Sequence, residues 1–282
     1  MQGKTVVMTG ATSGIGAVAA LELAAIGARI VFVAREAARA EATLAALERA
    51  APGRGHRFLI ADLSLIAETR RVGEAIAASE PRVDVLLNNA GAMFSNRRVT
   101  AESLEMTFAL DHMAYFVLTQ ALRGQLVASA PARIVSTASA AHAGARLDFD
   151  DLQCARDYSA MRAYRRSKLA NILFTRELAR RLAGSGVTAN CFHPGFVASR
   201  FGDQAGGWLA WGVGVAKRFA AISPEKGADT LVYLASSAEV AGVSGEYFVK
   251  RRPAKTSAAA RDDAAAEILW DRSEAIAERA AQ

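Results

Sequence analysis

The chain has 282 residues, 52% of them hydrophobic and 22% charged, with a formal net charge of +6. That much apolar material excludes a disordered chain, and no run of about eighteen uninterrupted apolar residues offers a membrane-spanning helix. The basic surplus is scattered over many arginines, densest at Lys250-Arg251-Arg252-Pro253-Ala254-Lys255 and outside any nucleic-acid motif, so it reads as solvated surface with no nucleic-acid partner.

Short apolar runs alternate with helical patterns along the chain. The first strand, expected at 5–9, runs into Thr9-Gly10-Ala11-Thr12-Ser13-Gly14-Ile15-Gly16, and a helix is expected at 16–26. Glycines here allow a tight turn, close backbone approach to a pyrophosphate, and close helix–strand packing. The helix N-terminus beyond adds free N–H groups and positive dipole. The second strand, 29–34, ends on Arg35-Glu36. An arginine at that strand end suits the 2′-phosphate of NADP, whereas an acidic residue suits the ribose hydroxyl of NAD. Arg35 comes first, so NADP(H) is the favoured cofactor, and Glu36 keeps NAD(H) open.

A helix at 37–49, a strand at 56–61 and a helix at 64–78 follow, then strands at 83–88, 133–139, 188–192 and 245–249. Strands that are apolar almost throughout, alternating with helices, predict an α/β fold: one doubly wound domain over 1–282, with a seven-stranded parallel sheet and helices on both faces. Two segments interrupt the alternation. Residues 140–160 form a long polar connection, and 196–222 carry Phe201, Trp208, Leu209, Trp211 and Phe219. Long loops in compact domains are usually functional, so 196–222 is expected to be a substrate lid, with a core or subunit contact as its other reading. The alanine-rich stretch at about 262–281 is expected to be a helical extension.

Cys154 and Cys191 lie far apart without metal-type spacing, and residues 1–7 show no signal-peptide pattern. A cytoplasmic protein with two idle thiols, no metal and no transmembrane anchor is expected.

Tyr164-Arg165-Arg166-Ser167-Lys168 sets a phenol and an ammonium four residues apart, hence on one face of a helix. Leu169, Ile172, Leu173, Phe174, Leu178 and Leu182 continue that helix at apolar spacings of three to four. A free phenol loses its proton near pH ~10, and a neighbouring ammonium lowers that value toward the range of a general base. The spacing alone recurs on surface helices, so its weight comes from its company.

That company is ordered. The glycine turn of residues 9–16 is followed by Asp62-Leu63, Asn88-Asn89-Ala90-Gly91, Ser139, Tyr164 with Lys168, and Pro194-Gly195. In this the chain resembles the short-chain dehydrogenase/reductase family over nearly its whole length. Ala163-Tyr164-Arg165-Arg166-Ser167-Lys168-Leu169-Ala170-Asn171-Ile172-Leu173-Phe174, His193-Pro194-Gly195 and Trp270 resemble its retinol-dehydrogenase-like branch.

The resemblance implies an oxidoreductase acting on CH–OH groups, with a small lipophilic carbonyl or alcohol as substrate and a homodimer or homotetramer built through helix faces. Tyr164 would donate or accept the proton, and Ser139 would hold the substrate oxygen. Lys168 would lower the Tyr164 pKa and bind the nicotinamide ribose. Asp62 would contact the adenine, with Leu63 beside it, and Asn88, Ala90 and Gly91 would line the cofactor wall. Gly10, Thr12, Ser13, Gly14, Ile15, Gly16, Arg35, Tyr164, Pro194, Gly195 and Val197 complete the expected cofactor set. Ser136 and Thr137 are decoys that spacing alone does not separate from Ser139. His142 is either a substrate contact or a loop hydrogen bond, and His193 is expected to be positional.

One position departs from the family. Its fourth catalytic residue, an asparagine, is matched by Asp111. An ionised Asp111 near Lys168 would cancel part of the field that lowers the Tyr164 pKa, so activity is expected to persist with a raised pH optimum. Two alternatives stay open at this point: a light-dependent enzyme resembling protochlorophyllide reductase, and a catalytically impaired NADP-binding sensor motivated by Asp111.

Overall fold

The computed structural model describes residues 1–195 and 222–280. Its strands are the β-branched apolar runs: β1 (Thr5–Thr9), β2 (Arg29–Ala34), β3 (Arg57–Ile60), β4 (Val85–Asn88), β5 (Ala132–Thr137), β6 (Val187–His193) and β7 (Tyr247–Val249). They pair in parallel in the order β3-β2-β1-β4-β5-β6-β7. The expected seven parallel strands are therefore present, and a two-residue strand, β8 (Arg252–Pro253), adds an antiparallel eighth at the edge. Lys250 and Arg251 turn the chain between β7 and β8 with φ of +50° and +62°. Two positive φ values make the tight hairpin that glycine or asparagine normally signals, so the basic residues concealed it. The Arg251 N–H donates to Thr230 Oγ1 at 3.2 Å and its Nε to Asp229 at 2.7 Å, which anchors the turn.

The period of two along the strands divides the core. Val7, Val31, Leu86 and Ile134 point to one face. Val6, Met8, Ile30, Phe32, Val85, Leu87 and Val135 point to the other. The helices are α1 (Gly14–Ala25), α2 (Ala37–Ala50), α3 (Ile66–Ser79), α4 (Met106–Phe108), α5 (Ala114–Ala128), α6 (Ala160–Arg181), α7 (Pro224–Ser236) and α8 (Asp263–Arg279). The second face is covered by α1, α2 and α7, through Leu23, Leu47 and Leu231. The first is covered by α3, α5 and α6, through Val72, Leu118 and Phe174.

The expected C-terminal helix is α8, and it is integral to the core. Its Trp270 is 2% exposed, 5.0 Å from the Phe116 ring and stacked on Phe174 at 6.0 Å, with the Arg181 guanidinium 4.4 Å from its ring. This indole fills the groove between α5 and α6. The chain leaves β1 for β2 and β3 on one side and returns to β4 on the other, so the order reverses between β1 and β4. In open α/β sheets that reversal opens a crevice at the carboxyl ends of the strands.

Candidate active site

The crevice begins at the turn after β1. A side chain at Gly10, whose φ is +71°, would put a Cβ 2.7 Å from Asn89 Nδ2, and one at Gly16 would meet the Gly10 carbonyl at 2.1 Å. Only glycine lets α1 start this close to the strand ends. Ser13 precedes α1 in extended conformation without a side-chain cap, and the first turn of α1 holds no acidic residue. The leading N–H groups of α1 are thus left to an anion. Thr12, Gly14 and Ile15 are partly exposed around them, and Ser13 is exposed.

β4 ends against this turn. Thr9 Oγ1 accepts the N–H groups of Asn89 and Ala90, both at 3.0 Å, and Asn89 Nδ2 donates to the Thr9 and Gly10 carbonyls. Thr137 Oγ1 donates to Asn89 Oδ1 at 3.2 Å, which ties β5 to the same corner. Asn88 is placed differently from its expected role. It is fully buried and its amide donates to Thr119 Oγ1 at 3.0 Å, so its side chain faces the α5 core. Asn89 is the side chain that braces the wall, with the partly exposed Ala90 and Gly91 beside it. Strand pleating decides this, because successive residues point to opposite faces.

At the end of β2, Arg35 is exposed, with Nη2 3.5 Å from Glu36 Oε1, and Arg39 Nε reaches the other Glu36 oxygen at 3.2 Å. A guanidinium pair therefore shares one carboxylate where a 2′-phosphate or a ribose hydroxyl would be read. Asp62 Oδ1 accepts from the Ser64 N–H and hydroxyl at 2.9 and 2.7 Å, and Leu63 is buried behind it.

At the other end of the crevice Ser139 lies two residues beyond β5, not within the strand as expected. It starts a short 3₁₀ turn, Ala140–His142, and its Oγ accepts from the Ala141 N–H at 3.1 Å. Tyr164 stands on the second turn of α6, packed on Met93 and Ala160. Burial raises its pKa above that of a free phenol, a hydrogen bond from Ser139 opposes the rise, and the Asp111 charge adds to it. One turn on, the Lys168 Nζ is 5.4 Å from the Tyr164 ring centre and 5.9 Å from that of Tyr115.

Asp111 comes to Lys168 from the opposite side. It sits in a π-helical turn, Ala109–Met113, between α4 and α5. Such turns swing one residue out of helical register and are frequent at functional sites. Asp111 Oδ2 lies 3.1 Å from Lys168 Nζ, with the two side chains 0% and 3% exposed. Oδ1 accepts the Ala92 N–H at 2.8 Å, and the Ser167 hydroxyl, which also donates to the Tyr164 carbonyl, is 3.2 Å from Oδ2. A Cβ on Gly91 would stand 3.1 Å from Asp111 Oδ1 and 3.4 Å from Lys168 Nζ. Burial pushes the Asp111 pKa up against the pull of Lys168. Burial draws the Lys168 pKa down, but Asp111 and Tyr115 outweigh it and hold the ammonium. Ser167, Tyr115 and the Ala92 amide were not legible as site residues, since nothing in their spacing announces the pair.

Two buried histidines tie this machinery to the C-terminal segment. His142 Nδ1–H donates to the Ser139 carbonyl at 2.7 Å, and its Nε2 accepts the Ser257 N–H at 3.3 Å. Of its two expected readings, this geometry is the loop hydrogen bond. His112, next to Asp111, is 2.8 Å from Ser273 Oγ on α8. Ser273 spends its own proton on the Leu269 carbonyl, so His112 Nε2–H is the donor. Desolvation lowers the His112 pKa to about 4.

Pro194 and Gly195 follow β6, where a Cβ on Gly195 would meet Ile222 Cδ1 at 2.6 Å. Val197 and nearly all of the expected lid, including Trp208 and Trp211, lie outside the described residues. Cys154 and Cys191 are free and buried, the latter with its thiol pushed up to about 12 by desolvation. No cluster of metal-ligating side chains occurs among the described residues.

A short chain dehydrogenase family model matches residues 4–209. Human retinol dehydrogenase 14 is 41% identical over 98% of this chain and 87% of its own length, and human retinol dehydrogenase 13 is 38% identical over 95% and 82%. Among solved structures, an uncharacterised Mycobacterium paratuberculosis protein superposes with a TM-score of 0.78 at 31% identity, covering 98% of this chain and 94% of that one. A Burkholderia cenocepacia short chain dehydrogenase in complex with NADP superposes at 0.68 with 28% identity, over 88% and 96%.

Proposed function

The chain belongs to the short-chain dehydrogenase family, in its retinol-dehydrogenase-like branch, and from that membership we propose an NADP(H)-dependent oxidoreductase interconverting a small lipophilic aldehyde or ketone with its alcohol. Membership makes it an oxidoreductase of CH–OH groups. The observation that carries the finer reading is the meeting of Ser139, Tyr164 and Lys168 at the strand ends that also carry the uncapped start of α1.

The residues present fit a dinucleotide. The glycine turn and the leading amides of α1 would hold the pyrophosphate, and Arg35 the 2′-phosphate. Asp62 and Leu63 would hold the adenine, and Lys168 the nicotinamide ribose, against the wall of Ala90, Gly91, Pro194 and Gly195. When bound, the nicotinamide supplies a hydride to a carbonyl carbon or accepts one from an alcohol. Ser139 Oγ holds the substrate oxygen in place. In reduction Tyr164 Oη gives its proton to that oxygen and regains one from solvent; in oxidation it takes the proton. Lys168 keeps a positive charge beside the phenol. The retinol dehydrogenase relatives support the lipophilic preference.

No described helix is long and apolar enough to cross a membrane. We place the protein in the cytoplasm, as a homodimer or homotetramer built through helix faces. The buried Asp111–Lys168 pair favours one competing reading, a nucleotide-binding sensor without turnover. A panel of apolar aldehydes, ketones and alcohols, assayed with both nicotinamides, separates the two. The enzyme oxidises NADPH with apolar carbonyls in preference to NADH. Tight NADPH binding with no turnover anywhere in the panel is the sensor's result.

A further inference from the structure

Lys168 already has a carboxylate. Asp111 Oδ2 is 3.1 Å from its Nζ, while the Tyr164 ring centre is 5.4 Å away, and neither partner of the ion pair is more than 3% exposed. The carboxylate is not there by accident of a mobile side chain. The Ala92 amide fixes one oxygen, Ser167 and Lys168 face the other, and the π-helical turn aims the residue inward. Gly91 has no Cβ to stand between them. An ammonium facing a neutral amide presents a full positive charge to the phenol. An ammonium facing a carboxylate presents a charge whose field is partly cancelled.

We infer that Asp111 is a positioning residue acting through Lys168, which adds to burial in holding Tyr164 as the neutral phenol and so moves to higher pH the points at which reduction falls and oxidation rises. This rests on the proposed function. Reduction consumes the phenol: the hydride from reduced nicotinamide forms the new C–H bond, the Tyr164 O–H breaks as the product O–H forms, and solvent restores the proton. Oxidation needs the phenolate, whose population rises tenfold per pH unit below the Tyr164 midpoint. The overall equilibrium between alcohol and carbonyl is unchanged. What Asp111 shifts is the midpoint between the two protonation states, and therefore where each pH profile breaks.

The other groups around the pair do not substitute for Asp111. Glu105 contributes like charge, but its carboxylate is spent on the Thr107 and Phe108 amides at the start of α4. Tyr115 from α5 and Tyr247 from β7 are themselves held protonated, chiefly by burial. From α6 the titratable groups at the site are Tyr164 and Lys168.

The test is Asp111→Asn, which keeps the shape and the oxygen that accepts from Ala92. In cofactor-free protein the phenolate absorbance of Tyr164 is isolated by subtracting the same titration of Tyr164→Phe, or of the double variant. Removing one buried charge one ion pair beyond the Lys168 ammonium, at an effective dielectric near 20, moves that midpoint down by about one to two pH units. The break in oxidation moves down with it, and reduction begins to fall at a correspondingly lower pH. Asp111→Ser, smaller and also neutral, gives the same direction if the amide packs poorly. An unmoved phenolate midpoint in both variants overturns the inference. A lowered midpoint in a protein that turns over no carbonyl sustains the coupling of Asp111 to Tyr164 and refutes the proposed enzyme instead.

Discussion

Arg35→Ala is the most discriminating perturbation of the cofactor site. Arg35 is exposed at the end of β2, its side chain 59% accessible, and its nearest acid, Glu36, is 3.5 Å away and shared with Arg39. Little holds the guanidinium except that shared carboxylate, so it is available to a phosphate. Hydrogen bonds to charged groups contribute about 1.5–3 kcal/mol, and exposure argues for the lower end. At about 1.4 kcal/mol per tenfold, the variant binds NADPH about tenfold more weakly. NADH, which has no 2′-phosphate, changes by less than about twofold on the same reasoning. Glu36→Gln moves the preference the other way: it frees Arg35 and Arg39 and removes a negative charge facing the phosphate, so NADPH tightens. Nucleotide fluorescence titration of both variants with both cofactors reads these changes directly. The wild-type preference for NADPH also shrinks as salt rises past about 0.1 M, where charges separated by more than about 10 Å are screened. Equal weakening of NADPH and NADH by Arg35→Ala refutes the assignment and leaves Glu36 reading a ribose hydroxyl.

Two further outcomes concern the C-terminal helix. Trp270→Ala empties a fully enclosed site between Phe116 and Phe174 and costs about 3–5 kcal/mol of stability. Trp270→Phe costs much less, because the indole N–H has no acceptor to lose; a urea titration showing under about 1 kcal/mol for the alanine variant means α8 is not docked as described. His112, at about 4 when folded against 6.5 in an unfolded chain, stays neutral in the core. Its contribution is complete above pH 6.5 and is lost as pH falls toward 4, by about 3 kcal/mol. In His112→Gln the urea midpoint is flatter across that interval, and an unchanged acid slope contradicts the burial of a neutral His112.

The strands, the glycine turn and the Tyr164–Lys168 spacing were legible because each follows from local rules: apolar period, backbone freedom and helical repeat. What escaped was decided by geometry between elements. Asn88 and Asn89 are chemically identical, and only the pleat sends one into the core and the other to brace Gly10. The β7–β8 hairpin bends at Lys250 and Arg251, residues that carry no turn signal. Ser139 was expected in a strand that ends at Thr137, since an apolar run does not mark where ladder pairing stops. His142 read as ambiguous in sequence and His112 carried no reading at all, because their partners, Ser257 and Ser273, are 115 and 161 residues away. The Asp111 departure was visible, but its 3.1 Å approach to Lys168 depends on a π-helical turn that no spacing predicts.

The central claim is that Tyr164 is the acid and base of a hydride-transfer enzyme, and one measurement tests it most directly. Purified protein and Tyr164→Phe are compared side by side for NADPH oxidation with an apolar aldehyde and for NADPH binding. The variant binds NADPH as the wild type does and turns over at least about a hundredfold more slowly, in line with the ~10²–10⁴ of general acid–base catalysis. Undiminished NADPH oxidation by Tyr164→Phe contradicts it.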